Sequence, residues 1–275
     1  MSLGSTIDYC GAGLLPFVLG VVLDQYECSW RWLFPLTALL GIGSTLLLYR
    51  IPVVAATSIE QPRSISLQER LVNPWRDAWS LLRNNIGFAH FQIGFMLGAS
   101  GIMIMQPALP MFFVDTLNLS YTKMLLAIAA CKGIAFAITS PFWVRLFQRM
   151  NIYSFCGLVT LLTAAFPFAL LSAQFHIGFL YAAYLLYGVM QAGSELGWHM
   201  SGPIFAKDQE SVVYSGTNVL MVGIRGCFAP ALGAFLFPII GSTGVMLLCA
   251  VLALLATQHL FGVRQSTAES QIVSG

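Results

Sequence analysis

The stretch YGVMQAGSELGWHM, Tyr187 to Met200, decides how this chain is read. It lies in a segment apolar enough for lipid, yet it carries a glutamine, a glutamate and a histidine. On a helix, Gln191, Glu195 and His199 stand at i, i+4 and i+8 and form one stripe, with Tyr184, Tyr187 and Trp198 on or beside it. Val189, Met190 and Leu196 fall mostly away from it. A charge at bilayer depth costs on the order of 3 kcal/mol on insertion scales, so such a stripe is expected to face other helices or a water-filled cavity. The alternative is that Glu195 and His199 reach the interface near the end of the span. A stripe that must be shielded from lipid calls for a bundle of spans.

Composition agrees. The chain has 275 residues, 57% hydrophobic and 9% charged, with mean hydropathy +0.79. Soluble domains carry roughly 25% charged residues, so these charges are too few to cover a soluble surface. A net charge of +2 gives no footprint for nucleic acid. None of the six cysteines, Cys10, Cys28, Cys131, Cys156, Cys227 and Cys249, forms a CxxC pair, and most lie in apolar runs, as small core residues do. MSLGSTIDYCGAG lacks the basic start of a signal peptide, so the first apolar segment is expected to be a retained span.

With roughly 20 apolar residues needed per span, eight candidates appear. They run over Gly4–Leu23, Trp32–Tyr49, Ile86–Val114, Lys123–Trp143, Ile152–Leu171, Ile177–Met200, Val212–Phe237 and Gly244–Phe261. Helices are expected, because the alternation of barrel strands is absent. With eight spans, Arg50, Arg63, Arg70, Arg76, Arg83, Arg145, Arg149, Lys207 and Arg264 share one side, against Arg31 and Lys123 on the other. That asymmetry predicts cytoplasmic termini. The polar stretch from Ile51 to Asn85 reads as a flexible linker followed by a short interfacial helix. Asn73 is its expected cap and Pro74 its first residue, with Trp75, Trp79 and Leu82 opposite Arg76 and Arg83.

Two more cations sit within spans. Lys132 in AIAACKGIAF and Arg225 in VLMVGIRGCFAP each precede glycine and occupy the middle members of two successive helix triplets, a pattern that repeated three-helix units produce. Either serves as an anion partner, or is a structural pairing with Glu195 or with carbonyls. Gln106 adjoins the helix-bending Pro107. Glycine and proline in GAGLLPFVLG and GCFAPALGAF fit close helix packing, or bending at a gate. No enzyme is expected. Glu195 and His199 do not form HExxH, Ser194 lacks a nucleophile elbow, and no phosphate-binding loop appears. No cofactor or metal is expected either.

GLLPFVLGVVLDQYECSWRWLFPL resembles the fifth-to-sixth helix region of major facilitator superfamily transporters, where a Gly-Pro-rich helix leads through a short outer loop into a Trp-Arg-Trp sequence. LPMFFVDTLNLSYTKMLLAIAACKGIAFAITSPFWVRLFQRMN resembles that family's seventh and eighth helices and the loop that follows. Arg145 and Arg149 match the basic positions of that loop, while Val144 and Gln148 stand where the family has glycine and aspartate. The resemblance covers nearly the whole chain and implies an all-α polytopic bundle. Residues 1–50 would be two helices of the first half, 51–85 the cytoplasmic linker, 86–263 a complete six-helix half and 264–275 a tail.

The family's first four helices have no counterpart, so a second chain or an upstream segment is expected to supply them. The implied function is secondary transport of a small solute by alternating access, with Glu195 a proton-coupling carboxylate. Lys132 and Arg225 would then be charge partners, Gln106, Gln191, Trp198 and His199 would lie along the pathway, and Arg145 and Arg149 on the gating loop. The competing reading is a non-transporting membrane remnant or assembly subunit.

Overall fold

A computed structural model describes residues 16, 18–26, 28–50, 67–206 and 211–273. The first predicted span therefore lies mostly outside the described residues; within it, α1 is helical over 18–25. α2 spans Trp30–Tyr49 and leaves Trp32, Phe34, Leu39 and Leu46 exposed. α3 spans Leu67–Asn84. This corrects the expected start at Pro74, which lies inside the helix. LQERLV ahead of it is rich in good helix formers, and losing one backbone donor at Pro74 does not stop the helix. α3 turns Ala78 inward and leaves Trp75 and Trp79 exposed.

The six helices after the linker form the packed body. α4 (Ile86–Thr116) starts at Asn85, whose side chain accepts from the Phe88 N–H at 3.0 Å. Pro107 and Pro110 each lack a backbone donor. The ladder shifts into a 3-10 turn at Gln106–Ala108, around Pro107, and beyond Pro110 into a π-turn at Phe112–Thr116. α5 (Tyr121–Phe147) is capped by Ser120 and widens into a π-turn at Leu126–Cys131 before resuming at Lys132. α6 (Ile152–Leu171) starts on Asn151, which accepts from the Ser154 N–H at 2.8 Å. α7 spans Gly178–Ala206. α8 (211–240) and α9 (242–273) run on through one residue, Gly241, at φ 70 and ψ 176. Glycine adopts that backbone without the Cβ penalty other residues meet, so the chain reverses there in a single step.

By length and apolarity, four stretches among the described residues can cross a bilayer: Ile86–Thr116, Tyr121–Phe147, Ile152–Gln174 and Ser211–Arg264, the last holding both α8 and α9. α7 is long enough but is diluted by its polar residues. The helix α9 continues to Val273, into the segment read as a tail.

Two apolar clusters hold the body together. Near the α4–α5 turn, Phe112, Phe166, Leu170, Leu180 and Met246 are fully buried. At the α3 end, Phe88, Phe91, Phe155 and Leu260 are buried, and the Trp143 indole N–H donates to the Val189 carbonyl at 2.7 Å. Lipid tails are as apolar as these side chains, so close backbone approach supplies much of the association. Gly94, Gly98 and Gly101 form the α4 strip against α6 and α9, where a Cβ on Gly98 would stand 2.8 Å from the Thr160 methyl. The Thr160 and Thr257 hydroxyls meet at 2.9 Å across α6 and α9.

Candidate functional site

The polar stripe of α7 forms. Gln191 donates from Nε2 to Oε1 of Glu195 at 3.0 Å, one turn apart on the same face. Glu195 and His199 are exposed, whereas Gln191 is half-buried and its Oε1 is enclosed without a partner among the described residues. One turn before Gln191, the Tyr187 ring receives the Lys132 ammonium at 5.9 Å from its centroid. That cation–π contact exists because α5 and α7 cross backbone to backbone: a Cβ on Gly188 would run into the Lys132 carbonyl. Lys132, Tyr187, Gln191 and Glu195 thus make one polar track across two helices.

A second polar group faces α4. The Trp198 ring lies 6.1 Å from that of Phe95. At the adjacent residue Met96, the sulfur accepts from Nη1 of Arg225 at 3.8 Å. The Arg225 Nε is buried with no partner among the described residues. Among the described residues the ion pair formed is Arg76–Asp77, at 4.0 Å and exposed, so neither Arg225 nor Lys132 is neutralised by Glu195. Arg225 sits in a groove of about 640 Å³ between α4 and α8, which Met96, Ser100, Ile104, Phe228, Leu232 and Phe235 help line.

Depth follows from helix geometry. At about 1.5 Å of rise per residue, Glu195 lies about 16 Å from the Ala206 end of α7. By the same measure Arg225 lies about 21 Å from the start of α8, and Lys132 about 22 Å from the Phe147 end of α5. All three lie well inside their helices. Gln106 stands apart, exposed in the 3-10 turn about 30 Å along α4. Arg145 and Arg149 are exposed at the α3 end of α5, away from the polar groups above.

A buried network escaped the sequence analysis. Gln92 of α4, 1% exposed, donates through Nε2 to Oδ1 of Asn218 on α8. Asn218 donates to the Ser201 hydroxyl on α7 at 2.8 Å, and that hydroxyl donates to the Trp198 carbonyl at 2.8 Å. Polar side chains cross-linking membrane helices hold them in register. The signal was present as a lone glutamine in GFAHFQIGF and a lone asparagine in SGTNVLM. Beside it, the Asn85 amide donates to the Tyr214 hydroxyl at 3.1 Å.

The assembly is a set of apolar helices joined by buried amides, with uncompensated charges at mid-helix and no cluster of three or more metal-ligating side chains among the described residues. No curated protein and no solved structure gives a significant match to this chain. A family model described as Major Facilitator Superfamily matches residues 1–224, from before α1 to the residue preceding Arg225. That match covers most of the chain and agrees with the all-helical, multi-span architecture, so the chain belongs to the major facilitator superfamily.

Proposed function

We propose that this chain is a secondary transporter, or the larger part of one, that moves a small solute across the bilayer by alternating access. The family consists of transporters; the mechanism and the residue roles are our reading. The observation that carries it is the set of mid-helix charges on Lys132, Glu195 and Arg225, which have no ion pairs among the described residues. A purely structural charge at such depth is normally neutralised by a partner, because desolvating it alone is costly. A charge that must bind and release a solute or a proton is left free to do so. In this reading the α5–α7 track and the α4–α8 groove face the solute path. Arg145 and Arg149 act at the cytoplasmic gate, and Gln106 lies towards the opposite mouth.

Glu195 is the proposed proton-coupling group. Gln191 holds its carboxylate by a single amide hydrogen bond, so protonation removes the charge without dismantling the fold. Substitution by glutamine keeps the shape and abolishes titration. In proteoliposomes holding the full chain, Glu195→Gln is expected to abolish uptake driven by an imposed pH gradient while keeping solute exchange at equal pH. Uptake that keeps its full response to the gradient would remove Glu195 from the coupling role.

A further inference from the structure

The Arg225 groove specifies a class of solute. Arginine carries five N–H donors in a planar fork and stays protonated. Among the described residues the fork has one weak acceptor, the Met96 sulfur at 3.8 Å, and the Nε hydrogen is enclosed with nothing to receive it. The Ser100 hydroxyl, one turn beyond Met96 on α4, adds a second donor to the same groove. The remaining lining named above is apolar. Along α8, Arg225, Phe228, Leu232 and Phe235 follow one face at i, i+3, i+7 and i+10, and along α4 the apolar Ile104 follows Met96 and Ser100. The groove therefore has a cationic end and an apolar run of about 15 Å leading away from it.

We propose that this groove binds an organic monocarboxylate with an apolar body, its carboxylate on the Arg225 fork and its body along Phe228, Leu232 and Phe235. This rests on the reading of the site as a solute pathway. A planar carboxylate matches the terminal N–H groups of the guanidinium with two parallel hydrogen bonds, stronger acceptors than the Met96 sulfur. The guanidinium repels organic cations. Inorganic phosphate, more heavily hydrated and more highly charged, finds one arginine and one hydroxyl here, too few donors to replace its water, and it leaves the apolar wall empty. A lipid headgroup is disfavoured by depth, since Arg225 stands at the middle of α8, about 21 Å from one end and about 22 Å from the other.

The test uses the full chain in lipid nanodiscs, titrated calorimetrically with 2-naphthoate, with the isosteric uncharged 2-naphthamide and with inorganic phosphate, each corrected against empty nanodiscs. We expect 2-naphthoate to bind at least 10-fold tighter than 2-naphthamide, with phosphate silent. Arg225→Gln should weaken 2-naphthoate by about 10- to 100-fold, the range of a charge-assisted pair, and leave 2-naphthamide unchanged. Arg225→Lys, which keeps charge and loses the fork, should fall between. Phe228 is 71% exposed, so Phe228→Ala tests the apolar wall even if the arginine variants fail to fold. It should weaken 2-naphthoate by about 5-fold.

Equal affinity for the two naphthalenes, no saturable binding of either, phosphate binding as tight as 2-naphthoate, or an unchanged affinity in Phe228→Ala would each overturn the proposal. A chain that binds 2-naphthoate through Arg225 but moves no solute in proteoliposomes overturns the transport reading alone. A chain that transports other solutes and shows no preference for the anion overturns this inference alone.

Discussion

Asp24 shows how one side chain joins distant parts of the chain. Its two carboxylate oxygens accept from the backbone N–H groups of Tyr121 and Thr122, at 2.7 and 2.9 Å, at the start of α5. The small burial of the group opposes ionisation. The Thr122 hydroxyl and backbone, the Tyr121 backbone and the Ser120 hydroxyl outweigh it and hold the carboxyl below its ordinary value of 3.8. Because the folded-state value lies below the unfolded one, the stabilisation is complete above pH 3.8 and is lost as pH falls through the folded value. Asp24→Asn is therefore expected to lower the unfolding free energy by at most about 1 kcal/mol at pH 6, as for other charges and caps at helix starts. Thermal unfolding at a series of pH values should show the gap between variant and parent closing below about pH 4. A gap as wide at pH 3 as at pH 6 would mean the carboxylate charge is not its source. The sequence showed Asp24 at the end of a span, but its partners are 97 and 98 residues away. Gln191 and Glu195 were legible for the opposite reason, since a four-residue spacing on a helix is itself a contact.

Among the helices, the crossing of α5 and α7 sets the Lys132–Tyr187 track. A Cβ at Gly188 would collide with the Lys132 carbonyl and stand 2.9 Å from the Ala135 Cβ, and backbone cannot swing aside as a flexible side chain can. Gly188→Ala is expected to push the two helices apart and to lower stability by about 1–3 kcal/mol, as overpacking does. Gly133, the residue after Lys132, has nothing within 4 Å of a Cβ built on it. Gly133→Ala should be neutral or stabilising, since alanine is the better helix former. Unfolding of the two purified variants side by side decides the matter: equal stabilities would mean the crossing is not close-packed in the way described. The helices were well read from the sequence because bilayer thickness and apolar runs fix their lengths. Three details were not. Pro74 resembled a helix start because proline suits that position, yet α3 begins at Leu67. The π-turn at Leu126–Cys131 lies in a run of ordinary helix formers with no residue that demands it. Which glycines touch backbone was also hidden, because Gly133 and Gly188 look alike until the helices are packed.

At the scale of the whole molecule, family membership and helix order leave open which side of the membrane each end faces, and charge placement offers an answer. The exposed Arg76, Arg83, Arg145, Arg149 and Arg264 gather where α3 lies, while Arg31 and Lys123 mark the opposite end. Cytoplasmic ends of spans carry the excess of Lys and Arg, so we expect the α3 end to face the cytoplasm and the α1–α2 and α4–α5 turns to face outward. The structure offers one native reporter at the level of these turns: Cys28 is exposed between α1 and α2. In a background whose other cysteines are replaced, a membrane-impermeant maleimide added to intact cells should label Cys28. With Cys28 replaced as well, Arg149→Cys should react only after the membrane is permeabilised. The reverse pattern would invert the molecule and, with it, the proposed roles of Arg145 and Arg149 as cytoplasmic gating residues. Labelling of both sites in intact cells would mean that one of the three helices between them, α2, α4 or α5, does not span. Were that helix α5, Lys132, midway along it, would be separated from the bilayer interior on which its part in the solute path depends.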